Sequence, residues 1–150
     1  MNEEGTGIMN ASENKKLVQE IFAELAKGNA RPFVGHMANE FSWTVTGTTK
    51  WSRTYAGKEV VVRELFGSLG ELLTAPITTI GHRFIADGDY VVVEARGKNT
   101  TKDGVSYNNT YCFVIRMADG KLQELTEYLD TQMVATVLGA QANLGAALSS

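Results

Sequence analysis

Residues 77–130 read ITTIGHRFIADGDYVVVEARGKNTTKDGVSYNNTYCFVIRMADGKLQELTEYLD. Three turn signals punctuate this stretch: Asp87-Gly88-Asp89, Lys102-Asp103-Gly104 and Ala118-Asp119-Gly120. Asp-Gly between β-prone runs is a strong hairpin signal, because glycine accepts the left-handed backbone that tight turns need. The runs between the turns, Ile77–Ala86, Tyr90–Asn99, Val105–Met117 and Leu122–Asp130, therefore predict a four-strand antiparallel meander.

Upstream of the meander the hydrophobic period changes from two to about 3.6. Lys58–Leu73 carries Val61, Leu65, Leu69 and Leu72 at helical spacing, and Pro76 ends it. Leu17, Val18, Ile21, Phe22 and Leu25 make a helical stripe over Glu13–Lys27, with Ser12 as the expected N-cap and Gly28-Asn29 as the stop. Pro32 opens a short second helix that turns Phe33 and Met37 inward. Phe41–Thr46 alternates as a strand, and Gly47–Ala56 reads as a polar loop carrying Trp51 and Tyr55. The expected fold class is α+β: a curved antiparallel sheet packed against three N-terminal helices. Residues 1–11 read as a disordered lead, 12–138 as a single domain and 139–150 as the C-terminal tail, with the Ala/Leu-rich stretch Thr131–Ser150 starting as a helix.

Composition fits one such domain. The chain has 150 residues, 43% hydrophobic and 21% charged, enough for one core and too apolar for disorder. Its net charge of -3 makes it a poor general binder of nucleic acid or anionic membrane. A lone cysteine, Cys112, excludes an internal disulfide and CxxC sites. No run spans a bilayer, and the acidic N-terminus lacks the apolar region of a signal peptide, so the cytoplasm is the expected location.

The strand faces point to a site. In the last strand Leu125, Glu127 and Leu129 share the more apolar face, so Glu127 is its only charge. A buried carboxylate is costly, and desolvation raises its pKa toward the range useful to a general acid or base. The alternative is a structural pairing with Arg83 or another basic group. Tyr107, Asn109, Tyr111, Phe113 and Ile115 form an aromatic row with one amide in its middle. Asn109 and Tyr111 are expected to hold a substrate oxygen, with Glu127 as the proton carrier. Trp43, Val45, Trp51, Tyr55, His82, Phe113, Leu125 and Leu129 make up the expected ligand-contacting set. The two histidines, His36 and His82, fall short of any metal-ligand spacing, so neither metal nor cofactor is expected.

Several strings resemble a known family: Leu17-Val18-Gln19 through Gly28-Asn29, Trp43-Thr44-Val45-Thr46-Gly47, Tyr55-Ala56-Gly57-Lys58, Gly88-Asp89-Tyr90 through Glu94, Tyr107-Asn108-Asn109-Thr110-Tyr111, and Asp119-Gly120-Lys121-Leu122 through Thr131. They are similar to the SnoaL-like branch of the nuclear-transport-factor-like superfamily, over about residues 13–138. That branch includes ketosteroid isomerases, polyketide cyclases and limonene epoxide hydrolase. The resemblance implies a cone-shaped α+β barrel with a deep pocket, in a homodimer packed through the sheet. It does not carry the isomerase set: Ile21 stands where that enzyme has a tyrosine, Val45 where it has its base, and Tyr111 and Phe113 on the strand of its protonated aspartate. Nor does it carry the hydrolase pair on one strand, where Ala95 and Gly97 stand, although Glu127 matches that enzyme's second aspartate. Polyketide cyclases of the branch use an aspartate as acid/base. The resemblance thus implies a cofactor-independent isomerase or cyclase acting through one carboxylate on a small apolar carbonyl compound, with a non-catalytic binding module as the alternative.

Overall fold

The computed structural model describes residues 9–139. Most of the expected lead and tail lie outside them. The first helix, α1 (Ala11–Leu25), starts before the expected point. Its cap is Asn10, not Ser12: the Asn10 side chain accepts the Glu13 N–H at 2.8 Å, and the Glu13 carboxylate accepts the Asn10 N–H at 3.0 Å. This is a complete capping box, two residues upstream of the incomplete one. Val18, Ile21, Phe22 and Leu25 form the buried stripe, while Leu17 is half-buried. The short α2 (Arg31–Gly35) opens on Pro32 and buries Phe33. Met37 is buried too, but it already belongs to β1 (Met37–Val45).

The expected loop ends in a strand. β2 (Arg53–Ala56) pairs antiparallel with β1, Tyr55 opposite Trp43 and Arg53 opposite Val45. Only Tyr55 of its four residues is buried, so no alternation marks it in the sequence. Helix α3 follows in three continuous segments, Lys58–Val60, Val61–Phe66 with π spacing, and Gly67–Leu72. Val61 and Leu65 are its buried residues.

The meander forms as expected: β3 (Thr79–Asp87), β4 (Tyr90–Gly97), β5 (Thr110–Ala118) and β6 (Lys121–Leu129) pair antiparallel in sequence. Asp119 and Gly120, at φ 53 and 74, supply the two left-handed residues of a tight β5–β6 turn. β5 starts later than the expected Val105. Backbone bonds from Tyr107 N to Asn99 O and from Gly97 N to Asn109 O tie the preceding segment to the end of β4 instead. Val91, Val93 and Ala95 are fully buried, and Glu94 turns outward to Arg83 at 3.3 Å.

The six strands run in the order β2-β1-β6-β5-β4-β3. β1 joins β6 in parallel, the one pairing that departs from an antiparallel sheet. The helices cover one face of this curved sheet, and α1 lies across β3 and β4. Phe22 meets Phe33, Phe84 and Phe113, with centroids 5.8–6.1 Å apart, so the two layers join through aromatic contacts. The described residues end with a helical turn, α4 (Thr131–Met133), capped by Asp130 and continued with π spacing over Val134–Gly139. Among the described residues no helix is long and apolar enough to cross a membrane.

Candidate functional site

Between the helices and the sheet lies a cavity of about 460 Å³. Phe22 and Leu25 line it from α1, and Leu65, Phe66 and Leu69 from α3. Val134 and Leu138 close it from the C-terminal turn, and Ala75, Pro76 and Ile77 from the segment before β3. The sheet supplies Trp43, Val45, Tyr111, Phe113, Glu127 and Leu129. Among the described lining residues Glu127 is the single charged side chain. Such a mostly apolar recess with a few polar groups suits a small organic ligand.

Pairing geometry puts Glu127 there. It lies opposite Phe113 on β5 and Val45 on β1, in a row whose side chains all face the helices. The residue is 8% exposed. The Trp43 indole N–H donates to its Oε1 at 2.8 Å, and no described residue donates to Oε2. Burial pushes the carboxyl up, the Trp43 bond opposes that, and the pKa comes to about 7. Arg83, the structural partner weighed above, pairs with Glu94 on the other face of the sheet.

Beside Glu127 stand two tyrosines. Burial and the nearby Glu127 charge, against the Asn109 bond, push Tyr107 up to about 12. Burial, then Tyr107 and Glu127, raise Tyr111 well above its ordinary value. The Tyr107 hydroxyl accepts from Asn109 Nδ2 at 3.1 Å, and the neighbouring Tyr111 hydroxyl eases ionisation of Tyr107 while its own is hindered. Gly97 makes room for this pair: a Cβ there would lie 3.2 Å from the Tyr111 ring and from the Asn99 amide nitrogen. Tyr107 shares the parity of Asn109 and Tyr111 in the aromatic row, and that spacing is the signal that marks it as a site residue.

Four expected site residues sit elsewhere. Asn109 is fully buried but outside the cavity wall. Its Oδ1 accepts from Thr110 N and Asp130 N, and its Nδ2 donates to the Tyr107 hydroxyl at 3.1 Å and to Asp130 O at 3.2 Å. With those bonds made, its amide is a structural tie and has no capacity left for a substrate oxygen. Tyr55 is buried behind the wall and donates its hydroxyl to Trp51 O at 3.1 Å. Leu125 is core, beneath the cavity in the row of Trp43 and Ile115. His82 is exposed. It is the extra residue of a β-bulge: Gly81 faces Ala95 and Arg83 faces Glu94, so the inward parity of β3 shifts at His82 and the side chain leaves the core.

Comparison with known proteins follows this geometry. No curated protein sequence matches the chain. Solved structures do match. An NTF2-like protein from Burkholderia thailandensis E264 superposes with TM-score 0.72 at 23% identity, over 83% of this chain and 96% of that one. A proposed SnoaL-like polyketide cyclase from Jannaschia Sp. CCS1 gives 0.70 at 18%, over 87% and 94%. TerC, co-crystallised with polyporic acid, gives 0.68 at 19%, over 83% and 96%. At these identities the likeness shows the fold. The model of the SnoaL-like domain matches residues 18–125, from the buried stripe of α1 to the middle of β6, and the chain belongs to that family.

Proposed function

We propose that the protein is a cofactor-independent enzyme of isomerase or cyclase type, acting on a small apolar carbonyl compound. The observation that carries this is Glu127: one carboxyl in an apolar cavity, anchored through Oε1, with a pKa of about 7. A group poised there exchanges protons in both directions near neutral pH. In the forward step Oε2 takes a proton from the carbon beside the carbonyl. The electron pair of that C–H bond becomes the new C=C, and the carbonyl electrons move to oxygen. Tyr107 and Tyr111 take the role expected of Asn109 and Tyr111. Because the Tyr107 oxygen accepts from the Asn109 amide, its own proton is free for a developing enolate oxygen. Return of the proton to another carbon gives an isomer; attack of the enolate carbon on a second carbonyl opens that C=O to an alkoxide, which takes the proton back from Glu127 and leaves a ring. The structural neighbour TerC was co-crystallised with polyporic acid, which supports a small organic ligand in this fold's cavity.

The test is solvent-deuterium exchange into 2-tetralone, an apolar ketone with acidic protons beside its carbonyl. The wild-type protein accelerates exchange, and Glu127→Gln lowers the rate by about a hundredfold or more. Equal rates in the two proteins overturn the proposal. The competing module that binds without chemistry is favoured by one observation, the single charged side chain in the wall. Saturable binding of the ketone with no exchange would establish it. We also propose a homodimer through the uncovered face of the sheet.

A further inference from the structure

The cavity wall holds two indoles with different fates. Trp43 donates its N–H to Glu127. Trp51 is equally enclosed, at 8% exposed, yet its Nε1 finds no acceptor among the described residues. A buried donor without an acceptor is uncommon in a folded protein and calls for a reason. Slack in the loop is not that reason. The Ser52 hydroxyl donates to Thr46 O at 3.0 Å, and Thr49 N donates to Ser52 Oγ at 2.9 Å. Trp51's own N–H donates to Thr49 Oγ1 at 3.1 Å, and Tyr55 donates to its carbonyl. Gly47, at φ 101, lets the loop pass Thr131, whose methyl would lie 2.7 Å from any Cβ. The main-chain groups of Trp51 are thus bonded, and the side-chain N–H is the polar atom left over on a residue that lines the cavity.

We propose that the Trp51 N–H is a ligand-recognition donor, and that it selects compounds carrying an oxygen acceptor in addition to the carbonyl handled at Glu127. The inference rests on the cavity being the ligand site, and it narrows the ligand class from an apolar ketone to an apolar compound with two oxygen functions. An immobilised donor loses little freedom on binding, so a matching oxygen gains affinity, while a matching hydrocarbon edge leaves the donor unpaired.

The protein contains only Trp43 and Trp51, so a ¹⁵N-labelled sample gives two indole N–H resonances, and Trp51→Phe removes one and assigns both. The probes are tetralin, 2-tetralone and 6-hydroxy-2-tetralone. The expected result is a downfield shift of the Trp51 indole proton with the two-oxygen probe and none with tetralin. Trp51→Phe, which keeps an aromatic ring, should lose about tenfold of the affinity advantage of the second oxygen, the scale of one hydrogen bond. A Trp51 resonance unmoved by 6-hydroxy-2-tetralone, while Phe113 and Tyr111 respond, overturns the inference and leaves the Glu127 reading intact. Equal exchange in wild type and Glu127→Gln with a shifted Trp51 resonance does the reverse. Failure of every probe to perturb any cavity residue overturns both.

Discussion

Glu127 ionises under two opposing influences: burial raises its pKa and the Trp43 bond lowers it, leaving about 7 against an ordinary 4.5. Between those values the folded protein keeps a proton that the unfolded chain has released. Stability therefore falls as pH rises through this window, is free of the penalty below it, and carries the full penalty above it. A separation of this size corresponds to a penalty on the order of 3 kcal/mol. Glu127→Gln keeps the shape and an acceptor for Trp43 but has no charge to bury. Its stability relative to wild type should rise from pH 4.5 to pH 7 and then stay level, by urea denaturation at a series of pH values. A difference independent of pH would show that Glu127 titrates alike in both states. The residue itself was legible in the sequence, because one acid among Leu125 and Leu129 breaks an apolar row. His82 was not: the bulge that turns it outward leaves no composition signal.

Elements are joined here by side chains as well as by ladders. Asn109 stands just before β5 and ties the end of β6 through both polar groups of Asp130, while holding the Tyr107 hydroxyl. In sequence an amide within an aromatic row looks like a substrate contact. Only its position outside the ladder, beside a strand end whose main-chain groups need bonds, shows it to be structural. Asn109→Ala would leave buried backbone groups of Asp130 and Thr110 without these partners. The expected cost is about 2–3 kcal/mol, seen as a lower urea midpoint with unchanged slope. An unchanged midpoint would mean that water replaces the amide without loss. The meander was readable because its turns use Asp-Gly and its strands alternate. β2 was not, since four residues with one inward side chain have no period to detect.

For the whole molecule the surface still to be accounted for is the outer side of the sheet, away from the helices, which no described element covers. Register places Thr126, Val114, Val92 and Ile85 in one row across β6, β5, β4 and β3. Ile85 is 53% exposed at one end. The neighbouring row runs Tyr128, Cys112, Glu94 and Arg83, and Tyr128 is 51% exposed. Two charge pairs are made within this face, Arg83 to Glu94 and Arg116 to Glu124, both at 3.3 Å, while Arg96 and Asp87 at its margins have no ion pair among the described residues. A mostly aliphatic row flanked by two ready-made charge pairs loses little by leaving water. A stable pair of chains needs about 800 Å² from each partner, and an uncovered four-strand surface is the candidate to supply it. Light scattering at micromolar concentration should therefore give twice the 16.3 kDa chain mass. Ile85→Glu, which places an unpaired charge at the end of the aliphatic row, should return the chain to a monomer. Glu127 points to the opposite side of the sheet, so the variant should keep its exchange activity if each cavity is complete within one chain. A wild-type monomer at that concentration would remove the dimer, and a dimer untouched by Ile85→Glu would move the interface to another surface.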